Sequence, residues 1–401
     1  MTPPEDALVD AATTPGVALA AAPRVAFLTD VRRSYLDQAA IGYLIYMVGA
    51  VTAFLAAALA LSDAQAGLHS SAAAVGIIGA SLLSHRLDHR FGLRAVHLGA
   101  LAVLALAALL MAWAPAFAVT LLGAAGVGLG CGLLLGHVNA AVTVSGGVRA
   151  LIQLTRSTLV SMIFSVMVPV SIGIGIAIGV GWAFVVVPVF LLVGIAAWAT
   201  RSRAERLPSS TSTVGRLPRG YWLSWLLTVL VVCVEFGILF WASSVVESST
   251  GVSLADATLT ISVYIGGIIV GRAALSTHVV GRNDPVWLLR AGLAVTFIGS
   301  TLVWLAPSYE IAALGMFISG LGLGWLYPIC GSMTMATAPH LPTIAATRLV
   351  MASGVALLSA PFILGVVADV TGVVSAWLIL PVICVVSALL TVPVALARGR
   401  T

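Results

Sequence analysis

Apolar stretches of about twenty residues follow one another along most of the chain, separated by short polar segments. A helix needs about 20 mainly apolar residues to cross ~30 Å of hydrocarbon. The sequence therefore predicts twelve membrane-spanning helices, near 38–60, 67–84, 95–113, 118–143, 151–176, 180–200, 221–244, 255–277, 286–306, 309–335, 344–367 and 373–396. Only 8% of the 401 residues are charged, whereas soluble domains average about 25%. We expect an all-α membrane protein whose outer surface faces lipid.

Every basic residue is an arginine, and the 19 arginines are distributed unevenly between the two predicted membrane faces. If the N-terminus lies inside, all of them fall in segments on the cytoplasmic side. The outer segments carry acidic residues instead: Asp63, Glu247, Asp256, Glu310 and Asp369. This distribution follows the positive-inside rule. It predicts a multi-pass protein of the cell inner membrane with both termini in the cytoplasm.

The two halves of the chain share a spaced pattern of residues. The run Gly-Leu-Gly-Cys-Gly at 128–132 returns as Gly-Leu-Gly-Leu-Gly at 320–324, 192 residues later. The same spacing relates these pairs: Gly79 and Gly271, Arg90 and Arg282, Arg156 and Arg348, Pro169 and Pro361, Gly173 and Gly365. A constant spacing over several helices is typical of tandem repeats with the same orientation. The expected organisation is therefore a cytoplasmic tail (1–34), a six-helix bundle (35–200), a cytoplasmic linker (201–219), a second six-helix bundle (220–397) and a short cytoplasmic tail (398–401).

Residues 85–94 read His-Arg-Leu-Asp-His-Arg-Phe-Gly-Leu-Arg. They resemble a cytoplasmic loop of the major facilitator superfamily, Gly-x-x-x-Asp-Arg-x-Gly-Arg-Arg/Lys. Arg90, Gly92 and Arg94 match this pattern, whereas Asp88 stands one position early. Residues 271–282 and 365–377 resemble corresponding segments of the second half.

The resemblance implies the fold of that superfamily, with twelve helices in two pseudo-symmetric bundles and transport by alternating access. It also implies a midplane substrate cavity lined chiefly by the first, fourth, seventh and tenth helices. A fainter similarity, carried by Glu235, Trp241, Glu247 and the pair Gly271-Arg272, is to symporters of the fucose permease type.

Glu235 is the only acidic residue that the predicted spans place deep in the membrane, roughly 21 Å from the start of its helix. A carboxylate at such depth costs about 2.5–3.5 kcal/mol, and hydrocarbon favours its neutral form. No arginine is expected at matching depth to neutralise it. We expect Glu235 to bind and release a coupling proton. The alternative is a protonated glutamic acid that ties two helices together.

Polar and aromatic residues on the predicted cavity helices are candidate substrate contacts: Gln38, Tyr43, Tyr46, His137, Asn139, Thr228, Tyr264, Trp325 and Tyr327. Tyr43 lies 192 residues before Glu235, so the repeat predicts that these two side chains face each other across the cavity. Tyrosine and tryptophan combine an apolar ring with a hydrogen-bonding tip, which suits an organic ligand. Simple helix packing is the alternative for each of them.

Four arginines near the predicted cytoplasmic helix ends are candidate gating residues: Arg90, Arg156, Arg272 and Arg348. The alternative is that their side chains only reach out to the lipid headgroups.

These features favour a secondary transporter that moves a small organic solute by proton symport and acts as a monomer in the lipid bilayer. The second hypothesis is a proton-coupled antiporter that exports hydrophobic drugs or metabolites. A polytopic membrane enzyme is less favoured, because the sequence shows no cluster of Asp or His to hold a catalytic metal.

An ATP-driven pump is disfavoured, because the phosphate-binding pattern Gly-x-x-x-x-Gly-Lys-Ser/Thr does not occur. Nucleic-acid binding is not expected without a basic domain. Neither a metal nor a cofactor is expected. The four cysteines lie in apolar runs without ligand spacing and are predicted to be small core residues.

Overall fold

The computed structural model describes residues 31–145, 147–200, 216–278, 284–338 and 341–398. The first bundle contains α1 (Val31–Leu59), α2 (Asp63–Phe91), α3 (Leu93–Trp113), α4 (Phe117–Ser145), α5 (Gly147–Ala177) and α6 (Val186–Ala199), the last preceded by a 3₁₀ turn at Trp182–Val185. The second contains α7 (Arg219–Thr250), α8 (Leu254–His278), α9 (Pro285–Trp304), α10 (Tyr309–Ala336), α11 (Pro342–Thr371) and α12 (Ile379–Arg398), the last preceded by the short helix Val373–Ala376. Twelve spans in these described ranges are long and apolar enough to cross a membrane. The predicted number of spanning helices is confirmed.

The segment expected as a loop after the second helix is almost entirely helical. Helix α2 continues to Phe91 and α3 begins at Leu93, so only Gly92 separates them. Gly92 adopts a φ of 84°, a conformation that glycine reaches without the steric cost of a side chain. One residue therefore reverses the chain direction. Helix α1 also begins at Val31, earlier than the predicted start of the bundle at residue 35.

Most of the predicted tails and linker lie outside the described residues. Of the segments 1–34, 201–219 and 398–401, the structure describes only 31–34, 216–219 and 398. All four cysteines are buried, as predicted for small core residues.

Glycines bring the helix backbones together at equivalent places in the two bundles. Gly128 on α4 lies against the backbone carbonyl of Ala73 on α2, and Gly320 on α10 lies against that of Tyr264 on α8. A methyl group at either glycine would overlap the carbonyl of the neighbouring helix. Between helices in a membrane, close approach of small residues replaces the hydrophobic effect as the source of association.

The contacts between α3 and α4 also repeat in the second half. Gly130 packs against Ala100 and Leu104, while their counterparts 192 residues later, Gly322, Gly292 and Thr296, make the equivalent contact between α9 and α10. The spacing read from the sequence thus describes actual packing positions. The chain forms two pseudo-symmetric six-helix bundles.

The bundles meet chiefly where α1 contacts α7, α2 contacts α11 and α5 contacts α8. Ser71 Oγ on α2 donates to the Leu358 carbonyl at 2.6 Å, and Ser262 Oγ on α8 donates to the Val166 carbonyl at 3.0 Å. These contacts lie in the helix halves nearest the α1–α2, α7–α8 and α11–α12 connections. We call that face the Asp369 side, and the opposite face, where α1 begins and α12 ends, the terminal side. The described residues therefore hold the bundles together on the Asp369 side.

The glycine contacts predict a position-specific loss of stability. Replacing Gly128 with Val should destabilise the protein by about 1–3 kcal/mol, because the added methyl groups overlap the α2 backbone. Gly320→Val should do the same at the equivalent place. Gly136→Val is the control on the same helix, since a Cβ there meets nothing within 4 Å. Thermal unfolding of purified protein measures the difference; equal melting temperatures for Gly128→Val and Gly136→Val would contradict this account.

Candidate functional site

Glu235 lies near the middle of α7 and is half-buried at the boundary between the two bundles. The hydroxyl of Tyr46, on α1 of the first bundle, donates a hydrogen bond to Glu235 Oε1 at 3.3 Å. This hydrogen bond joins side chains of different bundles, which lie 189 residues apart in the sequence. A membrane-embedded carboxyl group therefore contacts the opposite bundle directly.

Two residues of α8 complete the surroundings of Glu235. The Tyr264 hydroxyl donates to the Glu235 backbone carbonyl at 3.4 Å, and Tyr264 is fully buried. Arg272, two turns further along α8, interacts electrostatically with Glu235 and with the hydroxyls of Tyr46 and Tyr264. Its Nε is buried and makes no hydrogen bond to any described residue.

The expectation that no arginine lies near the depth of Glu235 is therefore wrong. Helix α8 runs antiparallel to α7, so Arg272 sits toward the terminal side, and its long side chain brings the guanidinium into the electrostatic neighbourhood of Glu235. Arg272 therefore lies within electrostatic range of Glu235; its role as a gating residue stays a prediction.

Helix α10 contributes an aromatic wall to the same region. The Tyr327 hydroxyl lies beside Ser353 on α11 and interacts electrostatically with both Glu235 and Arg272. Trp325 faces α8, where its Nε1 donates to the Gly271 carbonyl at 2.7 Å. Trp325 thus fixes α10 against the residue that precedes Arg272. We refer to Tyr46, Glu235, Tyr264, Arg272 and Tyr327 together as the Glu235 cluster.

Tyr43 does not face Glu235 as the sequence predicted. Its side chain is fully buried inside the first bundle, and its hydroxyl donates to the Val185 carbonyl at 2.8 Å. Tyr46, one helical turn further on, makes the contact with Glu235 instead. The interpretation of Tyr43 as a cavity residue is therefore corrected to a packing role between α1 and the turn before α6.

The cause of this error is a local change in the repeat spacing. Gly49 on α1 packs against Leu239 on α7, 190 residues later, as expected for equivalent residues beside the pseudo-symmetry axis. At that spacing the half-buried Ile45 and Tyr46 correspond to Glu235 and Phe236, which are also half-buried. The spacing of 192 holds for the third and fourth helices but not for the first.

The other predicted residues are spread through both bundles. Thr228 is buried in the second bundle, with its hydroxyl 3.0 Å from the Ser224 carbonyl and 3.3 Å from Thr334 Oγ1. Gln38 is buried on α1. Asn139 lies on α4 and Arg156 on α5, but their side chains lie outside the described part of the structure.

Two of the predicted gating arginines are exposed. Arg90, at the end of α2, places its guanidinium carbon 5.3 Å from the ring centre of Phe91. Arg348 on α11 donates from Nη1 to the sulfur of Met351 at 3.1 Å, while its backbone carbonyl accepts a hydrogen bond from Trp225 Nε1 at 2.7 Å. Neither joins the Glu235 cluster.

His137 belongs to a second polar group, which was not predicted from the sequence. His137 Nε2 lies 3.1 Å from Asp88 Oδ1, and its ring stacks on that of His97, which in turn lies 3.4 Å from Asp37 Oδ1. We call these four residues the histidine cluster. Asp37 is fully buried near the terminal-side end of α1, so an acidic residue other than Glu235 is also buried in a spanning helix, whereas Glu235 lies near the middle of its own. Asp37 lies one residue before the predicted first span, so it is not among the predicted intramembrane residues.

Asp369 forms a polar connection between the bundles at the opposite end of the protein. Its Oδ1 accepts a hydrogen bond from the backbone N–H of Asp63 at 2.7 Å, and its Oδ2 accepts one from Ala64 at 3.1 Å. These N–H groups are in the first turn of α2, where backbone donors have no partner within the helix. A carboxylate from the second bundle thus caps a helix of the first and holds the Asp369 side together.

The arrangement of helices matches a known family. The family model of the Major Facilitator Superfamily matches residues 38–341. The chain belongs to the major facilitator superfamily. It is accordingly a multi-pass membrane protein and a secondary transporter. A comparison with proteins of curated function gives no match.

Solved structures of this superfamily share the fold at low sequence identity. A bacterial homologue of the human lysosomal transporter Spinster, inward-facing and occupied, has 16% identity and a TM-score of 0.71, covering 93% of this chain and 97% of that one. The nucleoside transporter NupG has 12% identity and a TM-score of 0.70, covering 92% and 98%. The inward-open xylose transporter XylE from E. coli has 12% identity and a TM-score of 0.73, covering 90% and 94%.

The Asp369 contact predicts a shift between conformations of this superfamily member. Asp369→Ala should open the Asp369 side, because the first turn of α2 loses an acceptor held by the other bundle. Spin labels at Ala116 and Ser308, in equivalent loops of the two bundles, should report longer distances. Asp256→Ala is the control, since Asp256 accepts from Ser253 within its own bundle. Unchanged distances in the Asp369 variant would show that this contact does not hold the bundles closed.

Proposed function

We propose that the protein couples the movement of a small polar organic solute to that of protons, with Glu235 as the proton-carrying group. The observation that carries this proposal is the hydrogen bond from Tyr46 to Glu235, which crosses the bundle boundary inside the membrane. Alternating access moves one bundle against the other about a central site. A titratable group at that boundary experiences each conformational change directly.

The surroundings of Glu235 support both of its protonation states. An apolar environment favours the neutral form of a carboxyl group, while a cation in its neighbourhood favours the carboxylate. The Tyr46 hydroxyl can donate to either form. A carboxyl group held between opposing influences of this kind can take up a proton in one conformation and release it in another.

The direction of access follows from which side is held closed. The Asp369 contact, together with the α2–α11 and α5–α8 packing, joins the bundles on the Asp369 side. We infer that the Glu235 cluster communicates with the terminal side in this conformation. Opening the Asp369 side would require breaking these contacts, and the cluster would then be accessible from the other compartment.

The composition of the cluster supports a solute with hydroxyl or other hydrogen-bonding groups. The Tyr46 hydroxyl binds the Glu235 carboxyl group, the Tyr264 hydroxyl binds the Glu235 backbone carbonyl, and Tyr327 lies within electrostatic range of Glu235 and Arg272. XylE and NupG, which share this fold, transport xylose and nucleosides. Proton-coupled antiport of hydrophobic compounds is the second candidate, favoured by the half-buried apolar side chains of Ile45 and Phe236 beside the cluster.

A ligand screen separates the two candidates before any transport assay. Thermal stabilisation of the purified protein would be measured with separate panels of sugars, nucleosides, organic acids and amphipathic drugs. Stabilisation by a polar panel supports the symporter proposal. Stabilisation by the amphipathic panel alone favours the antiporter. The best ligand then serves as the transport probe.

Replacing Glu235 with Gln should abolish proton-driven accumulation of that ligand in liposomes but preserve its exchange in the absence of a pH gradient. Glutamine keeps the shape and a hydrogen-bonding carbonyl for Tyr46 but cannot bind and release a proton. Glu247→Gln is the matched control, because Glu247 lies on the same helix near its Asp369-side end. Gradient-driven accumulation by the Glu235→Gln variant at the wild-type level would remove Glu235 as the coupling residue.

The proposed orientation places the arginine-rich terminal side in the cytoplasm of the inner membrane. Cysteines introduced at Arg216 in the linker or at Arg90 on the terminal side should react only with a membrane-permeant reagent in intact cells. A cysteine at Val370, which is 84% exposed on the Asp369 side, should also react with an impermeant one. The reverse pattern would invert the proposed direction of transport.

A further inference from the structure

Two interfaces between the bundles on the Asp369 side, α2 with α11 and α5 with α8, are related by the internal repeat. One contact is the same in both: Ser71 donates to the Leu358 carbonyl in the first, and Ser262 donates to the Val166 carbonyl in the second. The two serines are 191 residues apart and the two acceptors 192. The two interfaces therefore share one packing plan at this level.

The Asp369-side ends of the two interfaces differ. Between α2 and α11, Gly365 lies against the backbone at the first turn of α2, and Asp369 caps that turn. The residues that correspond to them on α5, 192 positions earlier, are Gly173 and Ala177. A Cβ at Gly173 would meet only Leu259 Cδ2 within 4 Å, at 3.8 Å. The end that is closed between α2 and α11 is therefore open between α5 and α8.

A cavity of about 580 Å³ occupies the open end between α5 and α8. Cavities of about 300–1,000 Å³ are typical of small-molecule sites. The α5 wall runs from Val170 to Ala177, about 10 Å along the helix. Val170 and Ile174 are 41% and 47% exposed, so the cavity opens toward the surrounding lipid. It is separate from the Glu235 cluster, none of whose residues lines it.

The lining of this cavity combines apolar walls with one negative charge. Val170, Ile174 and Leu259 supply the apolar surface, and Asp256 places an exposed carboxylate in the first turn of α8. Asp256 Oδ2 accepts a hydrogen bond from Ser253 Oγ at 2.6 Å, and a carboxylate has further lone pairs for other donors. The sequence contains no arginine, lysine or histidine in 157–200 or 220–271. No basic residue from these parts of α5 to α8 therefore balances the charge of Asp256.

We propose that this cavity binds an amphipathic organic cation, an ammonium group on an apolar tail, which enters from the lipid phase. The ammonium group binds Asp256 at the start of α8. The tail lies between α5 and α8 against Val170, Ile174 and Leu259, in the space that direct helix contact fills between α2 and α11. The carboxylate disfavours an anionic head group at the same place. The site does not depend on the proton coupling proposed for Glu235.

The test compares three photoactivatable probes that share a dodecyl tail and differ in the head group, which is trimethylammonium, sulfate or hydroxyl. The full-length protein in lipid nanodiscs is cross-linked to each probe, and mass spectrometry locates the labelled residues. Labelling of 170–177 and 253–259 is divided by labelling of the other lipid-facing spans, which corrects for how much of each probe enters the bilayer. This ratio should be about two- to fivefold higher for the cationic probe, the range expected for one exposed ion pair.

Four variants connect the labelling to the cavity. Gly173→Phe should remove the preferential labelling, because its ring would occupy the open space beside Leu259. Asp256→Asn keeps the shape and an acceptor for Ser253 but removes the charge, so the cationic probe should label no more than the hydroxyl probe. Glu310→Gln is the matched control, since Glu310 is exposed on the same side and does not line the cavity. Glu235→Gln should label like the wild type, so failure of this site is distinguishable from failure of the proposed coupling residue.

The head-group comparison in the wild-type protein and the surface variant Asp256→Asn decide the outcome even if Gly173→Phe does not fold. Preferential labelling by the cationic probe that disappears in Asp256→Asn and persists in Glu310→Gln supports the site. Equal labelling of the two segments by all three probes would show a cavity filled by ordinary lipid chains and would overturn the proposal. Undiminished labelling of Asp256→Asn by the cationic probe would overturn it as well.

Discussion

Lipid as the surrounding solvent removes the usual reason for helices to associate, because hydrocarbon outside the protein is as favourable to an apolar side chain as hydrocarbon inside. Close backbone contact then has to hold the helices together. Gly128 and Gly320 provide it between α2 and α4 and between α8 and α10, where any side chain would overlap a neighbouring carbonyl. The same glycine contact thus holds equivalent helix pairs together in both bundles.

The polar residues at the boundary between the two bundles show how one bundle is held against the other. Few polar groups cross it in the described structure, and they are of two kinds. Ser71, Ser262 and Asp369 bind backbone groups of the opposite bundle on the Asp369 side. The link from Tyr46 to Glu235 instead joins two side chains, one of which is titratable. The first kind can hold one face closed, and the second is the contact on which the proposed proton coupling depends.

The sequence predicted the fold well because its strongest signals are those that lipid imposes. Twelve apolar segments, the placement of arginines and the repeated glycines each depend on local physics that a single chain shows. The candidate site was predicted only in part. Tyr46 and Tyr264 contact Glu235, and Tyr327 lies within electrostatic range of it; that they line a substrate cavity stays a prediction. Tyr43 was misplaced because the repeat spacing is 190 in the first helix pair, and a shift of two residues turns a helical side chain to another face.

The histidine cluster was missed for a different reason. Asp37, Asp88 and His97 lie at the ends of predicted segments, where a polar residue is ordinary. Only the helix arrangement reveals that these ends converge inside the first bundle.

The two bundles share one packing plan but not one distribution of charge. At equivalent positions the first bundle places His97 and His137 where the second places Leu289 and Ile329. Conversely, the second bundle places Glu235 where the first places Ile45, the residue adjacent to Tyr46. Packing alone would allow either choice in either half. Each ionisable residue at a position that is apolar in the other bundle carries the cost of burying a polar group. Such positions are therefore the ones at which a role beyond packing should be tested first.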